Sequence, residues 1–446
     1  MIGSEWVDRP GPMSDRFAAE LVDAILCGRF LPGMKLPAQR ELAKMAGTSR
    51  ATVAAALEDL AVQGWVETRS NARSIARLPD ADRQFLSPTQ TTSNPSPERA
   101  RIAAPAAELS RATDRARSKL PEYLSGDGRV QHGLPALREL ISARYTHAGL
   151  QTVPEQIIVT NGAMGAFAMA MDVTRGRVLV EDPTYHGALE ALRRRRRRTV
   201  GWRRGTDWDF DELGFVVRSH QPALAYVIAD FHNPTGSDLD GTQRQQLATI
   251  ADSTMLVVDE TLRALRLEFD QSPPAHVATF NPQVVTIGGL SKTVWSGLRI
   301  GWLRLPDAGH DLLSNIADTE SVPILDQLVA VELWEDLDKI IVSRCKILRQ
   351  QRDELLESLA QIGLAATSPA GGLVCWVDLG SPVAVAVSES LNAAGYSSAP
   401  GTRFSPSGSF RNQIRIPFTA DADEIQQLVG ELGRLIQTRR SGQGGA

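Results

Sequence analysis

The chain has 446 residues, of which 42% are hydrophobic and 22% charged, with a formal net charge of −4. That is the composition of a folded protein with two or three cores, and it excludes a disordered or wholly basic chain. No apolar run is long enough to span a bilayer, the first eight residues lack the basic and apolar parts of a secretion signal, and three scattered cysteines (Cys27, Cys345, Cys375) make neither a disulfide framework nor a metal cluster, so a reducing, cytoplasmic setting is expected.

Residues 13–79 read as one small unit. Ser14 is placed to cap a helix whose apolar positions Phe17, Leu21, Val22, Ile25 and Leu26 follow helical spacing, ending near Gly28. After the turn Phe30-Leu-Pro-Gly33, a second helix is expected over 38–46, stopped by Gly47, and a third behind Ser49 with Val53, Leu57 and Leu60 inward. Two short apolar stretches, 65–68 and 74–76, suit a hairpin wing. Helix, glycine turn, helix and wing is the layout of a winged helix-turn-helix. Between Lys35 and Val53 the basic residues Lys35, Arg40, Lys44 and Arg50 face one acid, Glu41, which suits a side turned to phosphates. A three-helix structural domain with a solvated charged face fits the same layout.

Residues 80–100 follow as a linker. Ser87–Pro97 holds no apolar residue and no charge, so it has nothing to bury.

From 101 to 446 strands and helices alternate, with the smaller α+β part expected at about 307–440. Apolar strands at 157–160, 177–181, 224–229, 255–259 and 284–287 are each followed by polar or glycine-rich residues, which predicts an α/β sheet with its site at the strand C-terminal ends. Gly162-Ala163-Met164-Gly165 opens a helix whose N–H groups can hold an anion. Tyr185, after Asp-Pro-Thr, can stack on a ring or pack in its turn. Asn233, before Pro-Thr-Gly, can donate to a phenolate or start the turn. Asp259 can pair with a pyridinium nitrogen or cap a helix. Ser291 and Lys292 follow a strand and a Gly-Gly turn, where an amine suits a Schiff base with an aldehyde cofactor. Arg299, seven residues on, suits a phosphate.

Two resemblances draw these together. Gly28, Pro32-Gly33, Leu36-Pro37, Arg40-Glu-Leu-Ala43, Ser49-Arg50, Thr52-Val53, Ala56-Leu57, Leu60 and Gly64 stand in the order and spacing of GntR-type winged-helix repressors. The resemblance implies DNA contacts by Arg40, Ser49, Arg50 and Thr52. The wing departs from it, with Arg69, Asn71 and Arg73 where glycines are usual. Over about 120–440, the order of glycine turn, aromatic, Asn-Pro-Thr-Gly, Asp, Ser-Lys, Arg and C-terminal Arg resembles fold-type I, aspartate-aminotransferase-like proteins that bind pyridoxal 5'-phosphate. By that likeness Lys292 forms the Schiff base, Asp259 pairs with the ring nitrogen, Asn233 reaches the ring hydroxyl and Tyr185 stacks on the ring. Ser291, Arg299 and the amides of Ala163 and Met164 hold the phosphate, Arg415 clamps a substrate carboxylate, and Tyr123 adds a phosphate contact from a partner subunit. Joined, the two halves resemble the MocR subfamily of GntR regulators, which implies double-stranded operator DNA, an amino-acid-like effector and a head-to-tail homodimer. Thr261 and Leu262 replace the tyrosine that the family carries after the aspartate, and Gly289 stands where Ser or Thr is common. Both departures weigh against efficient transamination, although an active aminotransferase with an accessory DNA-binding module is the alternative.

Two segments stay outside these likenesses. Arg193–Arg198 is six consecutive arginines at a helix end, either a solvated end suited to the helix dipole or an extension of a DNA-binding surface. The tail from Ser441 to Ala446 is expected to be disordered.

Overall fold

In the computed structural model, the described residues are 5–8, 11–68, 73–79, 102–203, 208–270, 272–306 and 322–443. The wing-tip residues Arg69 and Asn71, the linker 80–100 and Arg204 lie outside them.

Helix α1 (Met13–Leu26) turns Phe17, Leu21, Ala24 and Ile25 inward, α2 (Gln39–Ala46) adds Leu42, and α3 (Arg50–Val62) adds Val53, Leu57 and Leu60. These side chains form one cluster, closed by Trp6. Gly47 ends α2 with φ 63°, a left-handed position that favours glycine. Ser49 caps α3 as expected, its Oγ accepting from the Thr52 N–H at 3.0 Å. Ser14 does not cap α1. The Pro12 carbonyl accepts the first helical bond, from the Arg16 N–H, which places Ser14 inside the helix, where its hydroxyl turns to Asp15. Strands β1 (Val66–Glu67) and β2 (Ile75–Ala76) pair antiparallel as the wing.

Helices α4 (Ala106–Lys119) and α5 (Pro135–His147) precede the large sheet. The sheet unit then runs β3 (Ile157–Asn161), α6 (Gly162–Asp172), β4 (Val178–Asp182), α7 (His186–Arg194), β5 (Thr199–Arg203), α8 (Phe210–His220), β6 (Leu224–Ile228), α9 (Gly241–Ala248), β7 (Met255–Asp259), β8 (Val285–Gly289) and β9 (Ile300–Arg304). Its order is β3-β9-β8-β7-β6-β4-β5, with only β9 antiparallel to its neighbours. β4 and β6 are buried along their whole length, as strands covered on both faces require. Because β3, β4, β6, β7 and β8 run the same way, their C-terminal ends share one edge, and β9 begins there.

Helices α10 (Ile324–Leu333) and α11 (Leu337–Gln361) lead to β10 (Ala365–Ala366), β11 (Val374–Asp378), α12 (Ala384–Ala393), β12 (Ala399–Pro400), β13 (Gln413–Pro417) and α13 (Ala422–Gln443). The four short strands make an antiparallel sheet, β10-β11-β13-β12. Helix α10, grouped with this smaller part by sequence position, packs instead on α4 and α5. There Glu332 pairs with Arg115 and Lys119, and the buried Gln327 accepts from the Leu134 N–H at 2.7 Å. A second difference is the start of the tail: α13 continues through Gly442 to Gln443, so 441–443 are helical, while 444–446 lie outside the described residues.

The N-terminal module also touches the small sheet directly. Leu31 shares an apolar cluster with Trp376, Ala399, Phe404 and Phe410, and the Arg411 N–H donates to the Leu26 carbonyl at 3.0 Å. Gly28, at φ +76°, leaves room for this contact, because a Cβ there would stand 2.8 Å from the Phe410 ring.

Candidate functional site

The shared strand edge brings the sequence-expected residues together. At the end of β3, the first turn of α6 is pressed against β9 so closely that a Cβ on Gly301 would fall 2.3 Å from the Gly162 carbonyl carbon. Ala163 and Met164 lie in this turn, where N–H groups and the helix dipole favour an anion. Gly162 takes φ +70°, and its missing side chain leaves space beside the Arg299 guanidinium. Arg299 in turn donates from Nε to Asn161 Oδ1 at 3.3 Å. Gly289, at the end of β8, faces the same turn, and the loop after it carries Ser291, whose Oγ donates to the Leu298 carbonyl, and the half-buried Lys292.

Asp259 ends β7 and is buried. Its Oδ2 accepts from the Tyr226 hydroxyl at 2.6 Å, and its Oδ1 accepts from both Thr261 N–H (2.9 Å) and Oγ1 (2.7 Å). Burial raises the Asp259 pKa, and these donors oppose the rise. Burial and then the Asp259 charge push the Tyr226 hydroxyl well above its ordinary value, so the phenol keeps its proton and donates. Thr261 spends its hydroxyl on this carboxylate. Asn233 lies after β6 with its Oδ1 buried and without a hydrogen-bond partner among the described residues.

Tyr185 packs against the same apolar cluster as Ala163 and Met164, its ring lying over Gly187, where a Cβ would meet it at 2.5 Å. It touches His186 edge-on (4.8 Å between centroids), His186 touches Phe404 (5.5 Å), and Phe404 touches Trp376 (5.8 Å). Arg415 on β13 is buried, with its guanidinium 5.0 Å from the Phe404 ring centre. Tyr123 stands apart from this group in the contacts it makes, closing a 3-10 turn and packing on the main core.

Sequence reading missed several partners. Tyr226 sits in an apolar strand and reads as core. Asp182, at the end of β4, accepts from Ser405 Oγ and Ser407 Oγ, each at 2.7 Å, a latch from the small sheet's loop to the large sheet. Burial pushes the Asp182 pKa up to about 7 against those two donors. Neither sequence neighbourhood announces a bond spanning more than two hundred residues.

In the N-terminal module Arg40 and Arg50 are exposed, and Thr52 is half-exposed at the start of α3. Ser49 Oγ lies 2.8 Å from Thr52 Oγ1, so the two hydroxyls form one polar corner at the helix tip. Arg73 pairs with Glu41 at 3.8 Å rather than standing alone.

Comparison with known proteins agrees with both halves. Residues 114–432 match the aminotransferase class I and II family, and residues 13–74 match the bacterial regulatory proteins of the gntR family. The chain is 24% identical over 454 residues to the uncharacterized HTH-type transcriptional regulator YdfD of Bacillus subtilis (strain 168), covering 92% of this chain and 93% of that one. It is 24% identical over 468 residues to the uncharacterized HTH-type transcriptional regulator YdcR of Escherichia coli (strain K12), covering 95% and 99%. Among solved structures, LysN, an alpha-aminoadipate aminotransferase from Thermus thermophilus, shares the fold with a TM-score of 0.69 at 23% identity, covering 77% of this chain and 92% of that one. The chain therefore belongs to the aminotransferase class I and II family, and its gntR-type DNA-binding module gives it the layout of the MocR subfamily of GntR regulators.

Proposed function

We propose that this protein is a DNA-binding transcriptional regulator whose aminotransferase-like domain holds pyridoxal 5'-phosphate and senses an amino-acid-like compound. The residues at the strand edge suit the cofactor. The buried Asp259 carboxylate suits a pyridinium, the side chain of Asn233 a ring hydroxyl, Tyr185 a ring face, and the α6 N-terminus with Ser291 and Arg299 a phosphate. When bound, the cofactor supplies an aldehyde that links to a primary amine, here Lys292 or an incoming effector. Tyr226 and Thr261 hold Asp259 in place, and Arg415 supplies the positive charge for an effector carboxylate.

One observation carries the regulatory reading. The Arg415 guanidinium lies over Phe404, and Phe404 shares its apolar cluster with Leu31 of the DNA-binding module. A carboxylate that draws Arg415 off this ring changes a contact that the winged helix also uses, which is how a ligand with unequal affinity for two arrangements shifts DNA binding. A head-to-tail homodimer, with Tyr123 reaching a partner's phosphate, belongs to the same reading.

Full-length protein mixed with the cofactor should show an absorption band at the edge of the visible that Lys292→Ala abolishes. Its affinity for the duplex upstream of its own gene should change with one member of an amino acid panel. Absence of the band, or DNA binding indifferent to every amino compound, overturns the proposal. The intact set Lys292, Asp259 and Arg415 favours a second reading, a working aminotransferase with an accessory DNA-binding module. Multiple turnovers with a common amino acid support it, and a single turnover counts against it.

A further inference from the structure

The arginine run lies at the opposite end of the sheet from Lys292. Arg193 and Arg194 end α7, Arg195 to Arg198 turn into β5, and Arg175 and Arg177 precede β4 alongside them. The Arg198 carbonyl accepts from the Val178 N–H, and Arg177 reaches the carbonyl of His220 at the end of α8, next to Arg218. With five-residue strands between them, this end and the cofactor edge are roughly 15–20 Å apart.

Part of the run is structural. Arg197 donates to the carbonyls of Met171, Thr174 and Gly176, closing the C-terminal end of α6. Arg195 pairs with Asp172, and Arg194 with Glu190. Three helix C-termini (α6, α7 and α8) meet here, each worth about half a negative charge, so helix ends and two carboxylates offset about three to four of the nine arginines. The remainder is a solvent-facing positive excess on a chain of net charge −4. Arg193, Arg196 and Arg198 are exposed and form no ion pair among the described residues. Arg196 moreover takes φ +52°, closing the helix at a position where glycine costs least, so the arginine stands there against backbone preference.

We propose that this surface is a second phosphate-contacting site for duplex DNA, carried by the aminotransferase-like domain and engaged on DNA flanking the stretch read by the winged helix. This rests on the reading that the protein binds DNA. Guanidinium groups match phosphate oxygens in pairs. No aromatic residue interrupts Arg193–Arg198 to stack on single-stranded bases, and no apolar residue interrupts it to enter a lipid surface. The surface is distant from Lys292, so DNA and effector do not compete for space.

The test titrates the full-length protein with a random-sequence 150-bp duplex and a 20-bp duplex at several salt concentrations. The triple variant Arg193→Ala, Arg196→Ala, Arg198→Ala should lower the slope of log K against log salt on the long duplex by about 2.7, from about 0.9 per phosphate lost. It should leave the 20-bp slope and the thermal melting curve unchanged, and the corresponding triple lysine variant should restore the long-duplex slope. An unchanged slope on the long duplex overturns the proposal. So does a preference for anionic phospholipid vesicles or single-stranded RNA that the same variant abolishes. Wild-type protein that binds neither these duplexes nor the one upstream of its own gene overturns this proposal and the regulator reading together, whereas loss of binding in Arg50→Ala alongside an indifferent triple variant overturns only the second site.

Discussion

The carboxylates at the C-terminal end of the seven-stranded sheet and the arginines at its other end are both dense in charge, and the fold treats them differently. Asp182 and Asp259 are buried, and each accepts hydrogen bonds from hydroxyls held in fixed places by other strands and loops. The arginines mostly face water, and only Arg197 is fully spent on neighbouring carbonyls. Buried charge is costly unless partnered, so it marks a position that the surrounding structure has been shaped to hold. Exposed charge costs little, and only an excess over what the helix ends absorb carries information.

The comparison can be broken or sharpened by substitution. Phe404→Ala, at the seam beside the buried end, should cost about 3–5 kcal/mol in chemical denaturation, because a fully buried aromatic is lost from between two domains. It should also leave DNA affinity insensitive to effector.

Asp182 should appear next, as a pH effect. Its folded pKa, about 7, lies above that of an unfolded carboxylate, so the folded state holds the proton more tightly. The stability this contributes is complete below about pH 4 and is lost as pH rises towards 7. Urea midpoints at pH 5 and pH 8 should therefore differ less in Asp182→Asn than in wild type. A residual slope should remain from Asp238 and Asp259, which burial shifts in the same direction.

Arg197→Ala should cost about 1.5–3 kcal/mol, the range for hydrogen bonds made by a charged group. Tyr226→Phe should cost about 1–2 kcal/mol by removing a donor from a buried carboxylate. It should also weaken cofactor retention on dialysis. The smallest effect falls on Arg196→Gly, which should stabilise by about 0.5–1 kcal/mol because glycine accepts a positive φ. Equal costs at Arg196 and Arg197 would erase the distinction between structural and solvent-facing arginines.

The sequence made the strand-edge residues readable because each follows directly on an apolar run that had to be a strand. Ile157–Asn161, Met255–Asp259 and Val285–Gly289 are local signals, and their chemistry comes one or two residues later. Ser49 was readable for the same reason, since a cap acts on amides three residues away. What stayed hidden is non-local. Tyr226 looks like any core residue until β7 is laid beside β6, and the hydroxyls of Ser405 and Ser407 acquire meaning only when their loop reaches Asp182. Helix α10 was grouped with its neighbours in sequence, while its packing is decided by Arg115, Lys119 and Leu134, some two hundred residues earlier. The strands β5 and β9 were not resolved from their surroundings, because Trp202 and Trp302 lie in mixed segments without clear alternation.

Gly28 has a consequence for how such chains can be recombined. A side chain at this position would act as a wedge against Phe410, so the DNA-reading head is keyed to the body as well as leashed to it. Heads exchanged between relatives would keep their fit only if the glycine and its aromatic counterpart travel together, which makes this pair, more than the length of the tether, the unit of modularity.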